Sequence, residues 1–308
     1  MTEVAKILGK TADAEKFSKL HDERKAFFNS RFVNADHKSI GLVGGMRFGA
    51  PPVPLELKLA DTQTSYAVGL ALNAFSEENI PYMASNLAET VKRQNTDDNG
   101  VMRGEYSLMT GFIGTAWINK VLSDYGYHDI SYRLLQNNQY PSWLYAIDQG
   151  ATSIWERLNG YTVENGFGGN NSMNSFNHYS FGAVGQWMIA YSLGIQRDEK
   201  SPGFKHFILQ PQHDPTSQMT YAKGFYDAMY GKILSSWKVD KDVLTYLATV
   251  PANTTATLYL PAASEKVVKE GGKNIPNKNA FITFVKYEKG KAVYELTSGS
   301  YEFTSVLK

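Results

Sequence analysis

Cysteine is absent from all 308 residues, which excludes disulfides, thiolate metal ligands and cysteine nucleophiles together and leaves the compartment open. No apolar run approaches the roughly 20 residues that a membrane span needs, and the opening MTEVAKILGK has no apolar signal core. Charge of one sign is lacking too: 31 Lys and Arg stand against 30 Asp and Glu, so neither nucleic acid nor a membrane surface is an expected partner. The sequence contains no HExxH, no tight His/Asp/Glu cluster, no EF-hand loop, no GxxxxGK[ST], no GxGxxG and no GxSxG, so no metal or other cofactor is expected. Gly166-Phe-Gly-Gly169 follows no strand and opens no helix, and reads as a mobile loop.

Aromatic residues, in contrast, are plentiful: 19 Tyr, 16 Phe and 5 Trp. They fit either a large aromatic core or a carbohydrate site, where ring faces pack on the apolar faces of sugars. With 43% hydrophobic and 20% charged residues the chain reads as globular, long enough for one large domain or two ordinary ones.

Periodicity changes along the chain. Up to about residue 200 the sequence predicts helices joined by substantial loops. Thr11 caps the first, with Phe17, Leu20, Phe27, Phe28 and Phe32 on one side. Asp61 or Thr62 caps the next, with Tyr66, Leu70 and Phe75 in a stripe, and Pro81 opens a third. A fourth carries Phe112, Ile118, Val121, Leu122 and Tyr125 and stops at Gly126. Shorter helices cover residues 130–136 and 142–149, and a last runs from Phe181 to Leu193 before Gly194. Beyond Pro202-Gly203, short β-rich runs at 205–210, 232–239, 243–250, 255–260, 281–287, 292–296 and 301–306 alternate with turn residues, as in an antiparallel β-sandwich. The expected organisation is α+β and multidomain, with a helical domain at 1–202 and a β-sandwich at 203–308.

Chemistry concentrates between Pro141 and Trp187. Glu156 lies between Trp155, which disfavours its charge by desolvation, and Arg157, which favours it; that balance suits a base. A Glu–Arg surface pair beside a core tryptophan explains the same letters. Asn177 either caps a helix whose first turn holds His178 and Tyr179, or His178 donates to a substrate hydroxyl. Asp148 and Glu164 are further carboxylates nearby.

The runs Tyr140-Pro-Ser-Trp-Leu-Tyr145, Gln149-Gly-Ala-Thr-Ser-Ile-Trp-Glu-Arg157 and Met173-Asn-Ser-Phe-Asn-His-Tyr179 resemble those of bacterial α-L-rhamnosidases of glycoside hydrolase family 78. So do Asp61-Thr-Gln-Thr64, Leu108-Met-Thr-Gly-Phe-Ile-Gly-Thr115, Phe181-Gly-Ala-Val-Gly185, Gly203-Phe-Lys-His-Phe-Ile208, Tyr230-Gly-Lys-Ile233 and Val250-Pro-Ala-Asn-Thr-Thr255, in the family's order. The resemblance implies an (α/α)6 toroid followed by a β-sandwich, and cofactor-free hydrolysis of terminal α-L-rhamnosides with inversion. Its substrate would be a rhamnose-containing glycoside or oligosaccharide. Inversion needs a base and an acid on opposite faces of the sugar, about 6.5–9.5 Å apart. Glu156 matches the family's base and His178 a histidine of the rhamnose pocket; Trp155, Thr110 and Phe112 fall in segments bordering it.

The family's acid sits in an upstream motif that reads roughly Asp-Cys-Pro-Gln-Arg-Asp-Glu-Arg. Here His21-Asp-Glu-Arg24 shares three letters but not the context, so the expectation is a partial toroid that begins after the acid and has little activity alone. Its unpartnered faces would call for the missing N-terminal half or a second copy as partner. Two rivals remain at this point: a non-catalytic carbohydrate-binding or structural remnant, and an α/α-toroid polysaccharide lyase using Asn177, His178 and Tyr179.

Overall fold

The computed structural model describes residues 1–47, 50–97, 99–168, 174–276 and 279–307. Gly169, which ends one of the motifs above, and Met173, which begins another, lie outside the described residues. The chain forms two compact units, Met1–Phe181 and Gly182–Lys308, whereas the change of periodicity in the sequence falls at 202/203.

The first unit is mainly helical: α1 (Thr2–Ile7), α2 (Thr11–Phe32), a hairpin of β1 (Ile40–Arg47) and β2 (Ala50–Leu59), α3 (Gln63–Ala71), α4 (Ile80–Lys92), a second small hairpin of β3 (Asn95–Thr96) and β4 (Met102–Arg103), α5 (Gly111–Thr115), α6 (Ile118–Asp124), α7 (His128–Gln136) and α8 (Trp143–Asp148). Thr62 caps α3, its side chain accepting from Ser65 N–H while the Ser65 hydroxyl accepts from Thr62 N–H. Pro81 sits in the first turn of α4. The core gathers Tyr66, Met83, Leu87, Ile118, Leu122, Tyr132 and Leu134, all almost wholly buried.

Three expectations differ from the structure here. The β1–β2 hairpin was not predicted, since both strands hold Gly or Pro. The apolar stripe of α2 is divided: Phe28 packs on Phe32 and on Phe75, but Leu20 and Phe27 are exposed. The helix expected from Phe112 to Tyr125 is broken between α5 and α6. Thr115 explains the break, because its hydroxyl donates back to the Gly111 carbonyl at 2.6 Å, and such bonds bend or end helices.

The second unit opens with α9 (Val184–Trp187), the middle of a segment predicted as one helix. A 3-10 turn over Ser180–Ala183 precedes it and a π turn over Met188–Ser192 follows. Gly182 and Gly185 lower helix propensity there. Gly194, at φ +76, ends the run; a Cβ on it would meet the Gln210 carbonyl carbon at 2.1 Å. The strands are β5 (Ile195–Arg197), β6 (His206–Leu209), β7 (Tyr221–Ala228), β8 (Gly231–Asp240), β9 (Val243–Val250), β10 (Thr255–Pro261), β11 (Lys269–Glu270), β12 (Lys273–Asn274), β13 (Ile282–Glu288), β14 (Lys291–Leu296) and β15 (Gly299–Val306). They form a five-stranded sheet, β13-β14-β10-β6-β5, and a six-stranded one, β12-β11-β15-β9-β8-β7. All pairs are antiparallel except β10 with β6. Strict alternation buries every second residue of β9, and Tyr294 of β14 stacks on Phe303 of β15 across the sandwich, ring centroids 5.9 Å apart.

Candidate active site

Two stretches about twenty residues apart in sequence lie side by side in the helical unit. Glu156 N–H donates to the Ser175 carbonyl, and His178 N–H to the Ile154 carbonyl, both at 2.8 Å. Ser153 Oγ–H donates to the Phe176 carbonyl at 2.5 Å. Ser175 N–H donates in turn to Glu156 Oε2 at 2.8 Å. The backbone that holds the Glu156 chain also aims its carboxylate, leaving Oε1 with no hydrogen bond among the described residues. An aromatic row backs this pairing: Trp155 meets Phe176 edge-on at 5.1 Å, Phe176 meets Phe167 at 5.6 Å, and Phe167 meets Tyr161 at 5.2 Å.

Glu156 lines an open cleft of about 480 Å³, together with Asp97, Met109, Tyr140, Arg157 and Phe181 among others. Asp97 is the other carboxylate of that lining among the described residues. Val101 N–H and Asn99 N–H donate to its Oδ1, and the Arg103 guanidinium grips its Oδ2 at 2.6–2.8 Å. The Val101 bond first and the Arg103 bond second hold its carboxyl below the usual carboxylate range. Arg103 also lies 4.6 Å above the Tyr140 ring, and burial raises the Tyr140 phenol above its ordinary value.

The remaining predicted residues divide into two groups. Phe112 is 42% exposed; it packs edge-on against Phe181 at 5.6 Å and stacks on His178 at 4.7 Å, so both adjoin the cleft through Phe181. Ser180 N–H donates to His178 Nδ1 at 3.4 Å, an arrangement in which the neutral ring carries its proton on Nε2. Trp155 and Thr110 are buried at 7% and 4% exposure. The Thr110 hydroxyl is bonded to the Thr115 hydroxyl at 2.7 Å. Neither lines the cleft among the described residues. Asp97 went unnoticed in the sequence, where its Asn-Gly neighbourhood signals only a turn.

Both parts of the chain, the mainly helical unit and the β-sandwich, have counterparts in known proteins. Residues 1–191 match the model of the bacterial alpha-L-rhamnosidase 6 hairpin glycosidase domain, and residues 194–274 that of the bacterial alpha-L-rhamnosidase C-terminal domain. An alpha-L-rhamnosidase of Formosa agariphila is 34% identical over 97% of the chain, and one of Streptomyces avermitilis 31% identical over 98%. The solved S. avermitilis alpha-L-rhamnosidase, complexed with L-rhamnose, superposes with a TM-score of 0.77 at 30% identity over 98% of the chain. The chain belongs to the bacterial α-L-rhamnosidase family, with its six-hairpin glycosidase segment ahead of the family's C-terminal domain. It spans 29% and 25% of the length of those two curated relatives.

Proposed function

We propose that this chain carries the base-bearing side of a rhamnosidase active site, acting on terminal α-L-rhamnosides with inversion. The observation that carries the reading is the Glu156 carboxylate, fixed by Ser175 N–H at the wall of a sugar-sized cleft. In this reading Glu156 Oε1 takes a proton from the water that attacks the anomeric carbon. His178 offers its Nε2 proton to a sugar hydroxyl, and Phe112 supports the ring. Trp155 and Thr110 act behind the surface, one packing under the Glu156 segment and the other tying down α5.

The leaving oxygen needs a proton from the opposite face, and both carboxyl oxygens of Asp97 are already taken by Val101 N–H, Asn99 N–H and the Arg103 guanidinium. We therefore assign the acid to chain outside these 308 residues and expect this polypeptide alone to turn over slowly. The same observation favours one second reading, that the polypeptide binds rhamnosides without hydrolysing them. An aryl α-L-rhamnoside assay of the chain, alone and with a separately expressed upstream segment bearing the acid, tests both. Activity restored by the segment, with the β-anomer formed first by NMR, supports the proposal. Full activity of the chain alone, or release of the α-anomer, contradicts it.

A further inference from the structure

Asp61-Thr-Gln-Thr64 resembles a family motif, yet none of its residues has a part in the reading above. Gln63 is only 2% exposed, an environment that a primary amide tolerates only when its donors and acceptor are matched. Its Nε2 donates to the Ser107 carbonyl at 2.9 Å and its Oε1 accepts from Met109 N–H at 2.9 Å. Thr64 Oγ1–H donates to the Thr110 carbonyl at 2.7 Å. Two consecutive residues in the first turn of α3 thereby satisfy the backbone of residues 107–110, which belongs to no helix or sheet.

That stretch is a wall of the cleft. Leu108 and Met109 line it with Glu156, and Leu108 N–H donates to the carbonyl of Pro141, another lining residue, at 2.8 Å. The clamp also requires a glycine opposite it: a Cβ on Gly114 would meet Thr64 Oγ1 at 2.7 Å. We propose that Gln63 and Thr64 are positioning residues, which set the Leu108 and Met109 wall at the distance from Glu156 that a sugar ring requires. The part of this inference that concerns the sugar rests on the function proposed above; the clamp itself does not.

The test combines L-rhamnose titration of the 308-residue chain with amide hydrogen exchange. Gln63→Met keeps the side chain's length and removes both its bonding groups; Thr64→Val removes only the hydroxyl, and Thr64→Ser restores it. Gln63→Met is expected to speed exchange at the Met109 amide about tenfold or more and to raise the L-rhamnose Kd about tenfold, the effect of losing a hydrogen bond of ordinary strength. Thr64→Val should raise the Kd and the exchange rate about threefold, and Thr64→Ser should return both to wild type. Ile130→Ala, a core change in α7, should lower stability while moving neither. Unchanged exchange at Met109 in Gln63→Met, or equal shifts in Ile130→Ala, overturns the proposal. If the unaltered chain does not bind L-rhamnose, the sugar site is refuted while the exchange rates still decide the clamp. If Gln63→Met does not fold, the Thr64 pair decides by the same two readouts.

Discussion

Polar groups are buried in both units of this chain, but to different ends. In the sandwich, Trp237 donates its indole N–H to the Ser192 carbonyl, and the Ser235 hydroxyl bonds both the Leu193 carbonyl and Tyr246 Oη. These bonds fasten a sheet to the segment lying against it, and every partner is core. In the helical unit Asn119 and Ser131 tie α6 to α7 in the same way. Gln63, Thr64 and Ser175 N–H instead hold irregular chain around a cleft. A domain that only has to pack can satisfy its backbone with ladders. Where a carboxylate lines a cleft in irregular chain, side chains fix loops that no ladder reaches.

The largest expected effect separates chemistry from packing. If the proposed roles hold, Glu156→Gln in the chain combined with an upstream segment bearing the proposed acid should cost about 10²–10⁴-fold in kcat while leaving the melting temperature unchanged, because the amide still accepts from Ser175 N–H. Next, Trp237→Ala in the fully buried sandwich core should cost about 3–5 kcal/mol by denaturant unfolding without changing the L-rhamnose affinity of the folded protein. A loss of affinity there would end the division of labour. His178→Ala should weaken L-rhamnose binding about tenfold by calorimetry, one hydrogen bond's worth, with little change in stability.

The smallest effect is a pH dependence confined to the helical unit. Burial alone would raise the Asp61 carboxyl, but hydrogen bonds from Tyr66, Arg93 and Lys38 outweigh it and hold the group below its ordinary value. A depressed carboxyl contributes stability above its unfolded pKa of about 3.9, and that contribution disappears as pH falls through the lower folded value. Asp61→Asn should therefore lower the melting temperature at neutral pH and flatten its fall below about pH 4.

How far each region was legible follows from its physics. The sandwich strands announced themselves through period-two alternation between turn residues; the run expected at 243–250 is β9 to the residue. The β1–β2 hairpin was hidden because Gly44, Gly45, Pro51, Pro52 and Pro54 argue against a strand locally. Glu156 looked like one half of an exposed ion pair until the ordered motifs around it were considered. Its partner Ser175 acts through a backbone N–H, which leaves no trace in residue type. Gln63 was equally silent, since a buried amide that bonds backbone 44 and 46 residues away has no local signature.

The most direct test maps L-rhamnose onto the 308-residue chain by amide chemical shifts. The proposed site predicts shifts at Met109, Glu156, Ser175 and His178 that saturate together and shrink in His178→Ala. Shifts confined to the sandwich, or none at concentrations where the reconstituted enzyme is saturated, would contradict it.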